Sequence, residues 1–122
     1  MSRGDSMASH DGAAGEMDRD AKHLSVLVGQ LFALHLWEDR TRGELWVPTY
    51  DVDAVALISD DFLRTASNNA VDTGTRTFEF RILAPGEHRL LFEKRMGWKF
   101  TAEDRRVYLV SVRDGAAPTA SR

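Results

Sequence analysis

Cysteine is absent from this chain of 122 residues, and proline occurs only three times. Without Cys there is no disulfide, no thiolate nucleophile and no Cys-ligated zinc or iron–sulfur site. Long apolar runs are missing too. Nothing approaches the ~20 residues that cross a bilayer, so no membrane partner is expected. Met1 to His23 also lacks the apolar stretch of a secretory signal, which makes the cytoplasm the expected compartment unless the N-terminus has been trimmed. Nor is there an excess of positive charge: 16 Lys+Arg stand against 19 Asp+Glu, a net charge of -3. A mildly acidic, mixed surface argues against nucleic acid as a partner. What is present is 43% hydrophobic residues, enough for one domain of ~100 residues to bury a core by packing alone.

The composition divides the chain. Residues 1–21 hold little beyond Ser, Gly, Ala, charged residues and a few Met; such a stretch cannot offset its ordering entropy and is expected to be a disordered tail. It contains Arg3-Gly4-Asp5-Ser6, an adhesion-type tetrapeptide easily met by chance. Residues 114–122 have the same loop-like composition, leaving residues 22–113 as the folded domain.

Inside that domain the dominant period is two. Leu24, Val26 and Val28 alternate, as do Phe32, Leu34 and Leu36; Val55 and Leu57; Phe78, Phe80 and Ile82; Leu90 and Phe92; and Val107 to Val112. Such alternation, rich in Val, Phe and Thr, marks strands buried on at least one face. Turn-like breaks fall at Asp39 to Gly43, Asp51 to Asp53, Asn68 to Gly74, Pro85-Gly86 and Met96-Gly97. Single helical turns are expected around Ser59 to Leu63 and Thr101 to Arg105. The fold class that follows is all-β: an immunoglobulin-like antiparallel β-sandwich of about six to eight strands, expected to be a monomer.

Catalytic chemistry is not evident. His10 and His23 belong to the tail and its border, while His35 and His88 sit singly in strands with no second His at ligand spacing; a hydrogen-bonded strand His is the expected reading of each. Asp51 and Asp53, and the pair Asp60-Asp61, lack the closing Glu of a calcium loop. Thr73-Gly74-Thr75-Arg76 carries one Gly and leads into a strand, unlike a phosphate loop. Lys94, Arg95, Lys99, Arg105 and Arg106 lie near Trp98 and Phe100, but Glu93, Glu103 and Asp104 are interleaved with them, so a solvated loop is expected rather than a base-stacking platform. Neither enzyme activity nor any metal or other cofactor is expected.

Two loops are more specific. Asp39-Arg40-Thr41-Arg42-Gly43-Glu44-Leu45-Trp46 resembles, without gaps, the Asn-Pro-Thr-Thr-Gly-Tyr-x-Trp loop of the chagasin family of cysteine-peptidase inhibitors, matching at Thr41, Gly43 and Trp46. Phe92 to Lys99 resembles the family's strand leading into Arg-Pro-Trp, with Trp98 on the Trp, Gly97 in place of Pro, Met96 in place of Arg, and Arg95 supplying a cation one position early. Between them Asp72, Thr73 and Gly74 resemble the Gly-containing turn of a third loop. The similarity runs from about Leu24 to Val112.

The resemblance implies an immunoglobulin-like sandwich whose three loops form a wedge that plugs the cleft of a papain-like cysteine peptidase without covalent chemistry. The residues implied for the wedge are Asp39, Arg40, Thr41, Arg42, Gly43, Asp72, Thr73, Gly74, Arg95, Met96, Gly97 and Trp98. Trp46 is expected in the core beneath the first loop and Gly43 at a positive φ, while Trp98, flanked by Gly97 and Lys99, lies in a loop where exposure and burial are both open. The departures carry expectations of their own. Arg40 in place of Pro and Gly97 in place of Pro predict looser loops, and Arg40, Arg42, Lys94, Arg95 and Lys99 predict a basic loop end. A non-inhibitory interaction domain on the same fold is the alternative reading.

Overall fold

The structure is a computed structural model that describes residues 20–65 and 72–115. Nearly all of both expected tails, including Arg3-Gly4-Asp5-Ser6, lies outside the described residues. Seven strands succeed one another among those residues: β1 (Lys22–Leu27), β2 (Phe32–Asp39), β3 (Glu44–Thr49), β4 (Val55–Arg64), β5 (Thr73–Ile82), β6 (Gly86–Met96) and β7 (Asp104–Arg113). They form two sheets, ordered β1-β7-β6-β3 and β2-β5-β4. Pairing is antiparallel except at one edge, where β1 runs parallel to β7.

The alternation places side chains as expected. Phe78, Phe80 and Ile82 of β5 point inward and are fully buried, and Leu90, Phe92 and Val110 meet them from the other sheet. Phe78 and Phe92 bring their ring centroids to 5.0 Å across the core, and Tyr108 packs edge-on to Phe92 at 5.5 Å. Such contacts add to simple area burial. Pro48 sits in β3, which pairs only with β6; an edge strand tolerates a residue that cannot donate on its outer side.

The two expected helical turns are corrected. Ser59 to Leu63 is the second half of β4, paired residue by residue with Glu79 to Thr75 of β5 after a bulge between Leu57 and Ser59. The bulge breaks the period of two, and Asp60-Asp61, which read as a turn, lies inside the strand. Thr101 to Glu103 is a bend that runs straight into β7. The one helical turn among the described residues is the 3-10 turn Arg40–Arg42, between β2 and β3.

Candidate functional site

Three connections gather at one end of the sandwich. The end of β2 lies beside the start of β5 (Asp39 opposite Thr73), as does the end of β4 (Arg64 opposite Gly74). On the other sheet, Glu44 opens β3 opposite Met96 at the end of β6, and Lys94 lies opposite Asp104 at the start of β7. Connections β2–β3, β4–β5 and β6–β7 therefore share a face, and the first ties directly to the other two. Arg40 donates its backbone N–H to the Asp72 carbonyl at 2.8 Å, and the Arg42 guanidinium lies 3.6 Å from the Glu103 carboxylate.

The β2–β3 turn is tightly held. Asp39 accepts from the Thr41 N–H at 3.0 Å, capping the 3-10 turn, and Gly43 closes it by donating to the Arg40 carbonyl at 3.0 Å. Gly43 has a φ of 80°, the left-handed value expected of it, which a side chain would strain. The Thr41 hydroxyl accepts from the Asp72 N–H, so the exposed Thr is fixed from beneath.

Below the turn lie two buried carboxylates. Glu38 is 0% exposed. It accepts from Arg40 Nε at 2.7 Å, Arg76 Nη1 at 2.8 Å and the Trp46 N–H at 2.8 Å. Glu44, also buried, accepts from the Asp39 N–H at 3.0 Å and Arg42 Nη1 at 2.6 Å, with Lys94 Nζ at 3.6 Å. A buried carboxylate is tolerable only when its lone pairs are filled by such donors. Arg76 also forms a two-toothed pair with Asp60, and that hydrogen bonding raises its pKa further. The Arg40 guanidinium stacks 3.9 Å over the Phe62 ring, an added cation–π contact.

Two expectations are thereby corrected. The turn is not loosened by the loss of Pro, because Arg40 is anchored through its side chain to Glu38 and Phe62 and through its backbone to Asp72. Nor is the loop end a field of unpaired cations. Arg40 is paired with Glu38, Arg42 and Lys94 with Glu44, Arg95 with Glu93, and Lys99 with Glu103.

The remaining site residues divide. Trp46 is core as expected, 2% exposed, with its indole N–H on the Trp37 carbonyl at 2.7 Å. Thr73 and Gly74 belong to β5 rather than to a loop tip, and Gly74 is buried. A Cβ on Gly74 would stand 2.1 Å from the Leu63 carbonyl oxygen, so this Gly permits close strand packing. Met96 is buried beside Glu44. Asp72 accepts from Arg64 Nε, a bond that holds its carboxyl below the usual range.

The β6–β7 tip is different in kind. Trp98 is 71% exposed, with Lys99 Nζ 5.0 Å from its ring, and Phe100 is 98% exposed. The tip's backbone is tied by Lys99 N–H to the Met96 carbonyl at 3.1 Å, Arg95 Nη1 to the Phe100 carbonyl at 3.1 Å and Glu103 N–H to the Lys94 carbonyl at 2.7 Å. Arg95 also hydrogen-bonds Glu93, the main reason that carboxyl titrates below its ordinary value.

Elsewhere among the described residues, the two strand histidines each have a hydrogen-bonding partner. His35 Nδ1 lies 3.0 Å from the Thr77 hydroxyl and His88 Nε2 2.9 Å from the Ala84 carbonyl. No three His, Asp or Glu among the described residues converge to hold a metal. An open cleft of about 330 Å³ beside β1 and β7 is lined by Asp20, Lys22, Arg105, Arg106, Val107 and Tyr108; Arg105 there is paired with Glu93 and Arg106 with Asp104. Glu38, Glu44 and Trp37 are residues to which sequence reasoning assigns no role, and Phe100 enters it only beside Trp98 as a candidate base-stacking aromatic. The alternation held the signal for Glu38, in phase with Leu34 and Leu36, and for Glu44, in phase with Trp46.

The sandwich thus carries a hydrogen-bonded turn and a bare aromatic tip at the same end. Residues 25–112 match the Chagasin family peptidase inhibitor I42, and the chain belongs to that family. It is therefore a peptidase inhibitor and not an enzyme. Comparison with curated protein sequences gives no match. Among solved structures, the chain is similar to the cysteine protease inhibitor EhICP2 of Entamoeba histolytica, at 18% identity and a TM-score of 0.69, over 79% of this chain and 90% of that one. It is also similar to Amebosin, at 17% identity and a TM-score of 0.53, over 79% and 92% of the two chains. A third, PbICP-C in complex with falcipain-2, gives 10% identity and a TM-score of 0.55, over 77% and 92%. These likenesses establish the fold.

Proposed function

We propose that the protein inhibits papain-like cysteine peptidases by filling the cleft with its loop end. Thr41 and Arg42 sit at the centre, Asp72 lies to one side and Trp98 to the other. The observation that carries this reading is the cross-tied cluster of three connections on a chain of the chagasin family. A similar protein, PbICP-C, was determined in complex with falcipain-2, which supports a peptidase of that kind as the partner.

The mechanism is steric. The turn from Asp39 to Gly43 is hydrogen-bonded before any partner arrives, so little ordering entropy is lost on docking. Thr41 presents a small exposed side chain, which allows close approach to a catalytic centre. Arg42 is held by Glu44, so its cation is oriented. Trp98 supplies the large apolar surface that dominates interface energetics.

The test is inhibition of a panel of papain-like peptidases by micromolar folded protein. Reversible inhibition that competes with substrate is expected. Absence of inhibition across the panel, with folding confirmed by circular dichroism, contradicts the reading.

A further inference from the structure

The outer face of sheet β2-β5-β4 carries an apolar row beside the loop end. Register places Trp37, Thr75 and Leu63 side by side on three adjacent strands. Trp37 lies in β2 between the buried Leu36 and Glu38, so its side chain is on the opposite, solvent face, where it is 56% exposed. Leu63 is 76% exposed. Two large apolar side chains are thus left bare on one row with only Thr75 between them, and bare apolar surface of this kind marks an interaction surface more often than scattered single residues do. The other flank differs: there Leu45 lies opposite Arg95 and Val47 opposite Glu93, so charge interrupts the apolar surface. One row further from the loops, His35, Thr77 and Asp61 end the apolar strip with polar groups.

We infer that this row is an additional contact surface for the inhibited peptidase, resting on an uncharged, apolar part of the enzyme's rim beside its cleft. The inference rests on the wedge reading above. Trp37 lies two residues before Asp39, and Thr75 two residues after Thr73; at a strand's rise these are separations of about 7 Å. A body that receives the turn in its cleft therefore has its rim within reach of the row. The exposed surface of the two large side chains is roughly 250 Å². A self-standing interface needs about 800 Å² on each partner. The row is thus too small to hold a second copy of the chain unaided, and suffices as the extension of a larger contact. The Trp46 indole N–H bonded to the Trp37 carbonyl fixes the strand beneath the ring, so the surface is offered without reorganisation.

Trp37→Ser and Leu63→Ser test the proposal, with Trp98→Ala as reference, against a peptidase that the unmodified protein inhibits. Both side chains point to solvent, so the melting temperature is expected to hold. The inhibition constant should rise about tenfold for Trp37→Ser through faster dissociation, and by less for Leu63→Ser. An independent reading comes from 5-fluorotryptophan labelling. The 19F line of Trp37 should shift and lose its solvent-isotope sensitivity in the complex, while that of buried Trp46 stays still. Unchanged inhibition by both variants, with Trp98→Ala weakened, removes the row and leaves the wedge. An unmodified protein that inhibits nothing removes both. Self-association by sedimentation that Trp37→Ser abolishes, with inhibition unchanged, assigns the row to a second copy and overturns the proposal.

Discussion

The β2–β3 turn and the β6–β7 tip are built on opposite plans. The β2–β3 turn spends its charge inward: Arg40 and Arg42 reach down to Glu38 and Glu44, and what faces outward is a small Thr on a hydrogen-bonded frame. The β6–β7 tip has its backbone held by hydrogen bonds, one of them from the Arg95 side chain, and leaves two aromatic side chains bare. One loop is shaped and the other is adhesive. A steric inhibitor needs both, since a plug without apolar surface dissociates quickly and an apolar tip without a plug does not block a cleft.

The largest expected effect comes from breaking the frame. Glu38→Ala removes the shared acceptor of Arg40, Arg76 and the Trp46 N–H, stranding a partly buried cation. A loss of about 3–5 kcal/mol in urea unfolding is expected. Glu38→Gln, which keeps an acceptor, should cost visibly less. Equal losses would mean that the negative charge, and not the volume or the acceptor that Gln retains, is what Glu38 contributes.

Removing the adhesive side chain should do the reverse. Trp98→Ala is expected to weaken inhibition at least tenfold through faster dissociation. Because Trp98 is exposed in the free protein, its melting temperature should stay within a degree or two. A large drop in stability would place Trp98 in the frame and erase the distinction between the loops.

Acid offers a milder way to sharpen the same contrast. Glu93 and Asp72 titrate below their ordinary values because Arg95 and Arg64 hydrogen-bond them. A lowered folded pKa gives stability that is fully present above the unfolded carboxyl value of about 4 and disappears as pH falls through the folded value. Melting temperature should therefore be flat from about pH 5 to 8 and decline below about pH 4, with Glu93→Gln flattening part of the decline. A decline beginning near neutral pH would contradict this. The smallest effect is expected at the rim: Lys99→Ala breaks a partly exposed pair with Glu103 at 3.4 Å and should change stability by less than about 1 kcal/mol.

Much of this was legible in the sequence where a single period governs the residues. Phe78, Phe80 and Ile82 read directly as one inward face, and Trp46 as core. The left-handed Gly43 followed from its place in a tight turn. Legibility failed where a local signal and a tertiary contact disagree. Ser59 to Leu63 looks like a turn because of its acids, yet a bulge and pairing with β5 make it a strand. Arg40 and Arg42 looked like surface cations because the carboxylates that receive them count, by residue type, as surface residues. Extending the alternation of β2 by one step beyond Leu36 puts Glu38 in the interior, and the pairing with Arg76 of β5 that makes this tolerable is long-range. Gly74 read as a loop glycine because its requirement comes from the Leu63 carbonyl on a neighbouring strand.

The most direct measurement is a calorimetric titration of the protein into a papain-like peptidase, first with the cleft empty and then with the cleft filled by a covalent substrate-like blocker. One-to-one binding that disappears when the cleft is filled is expected of a plug. Binding of equal strength to the filled enzyme would contradict cleft occlusion and return the loop end to a non-inhibitory interaction surface.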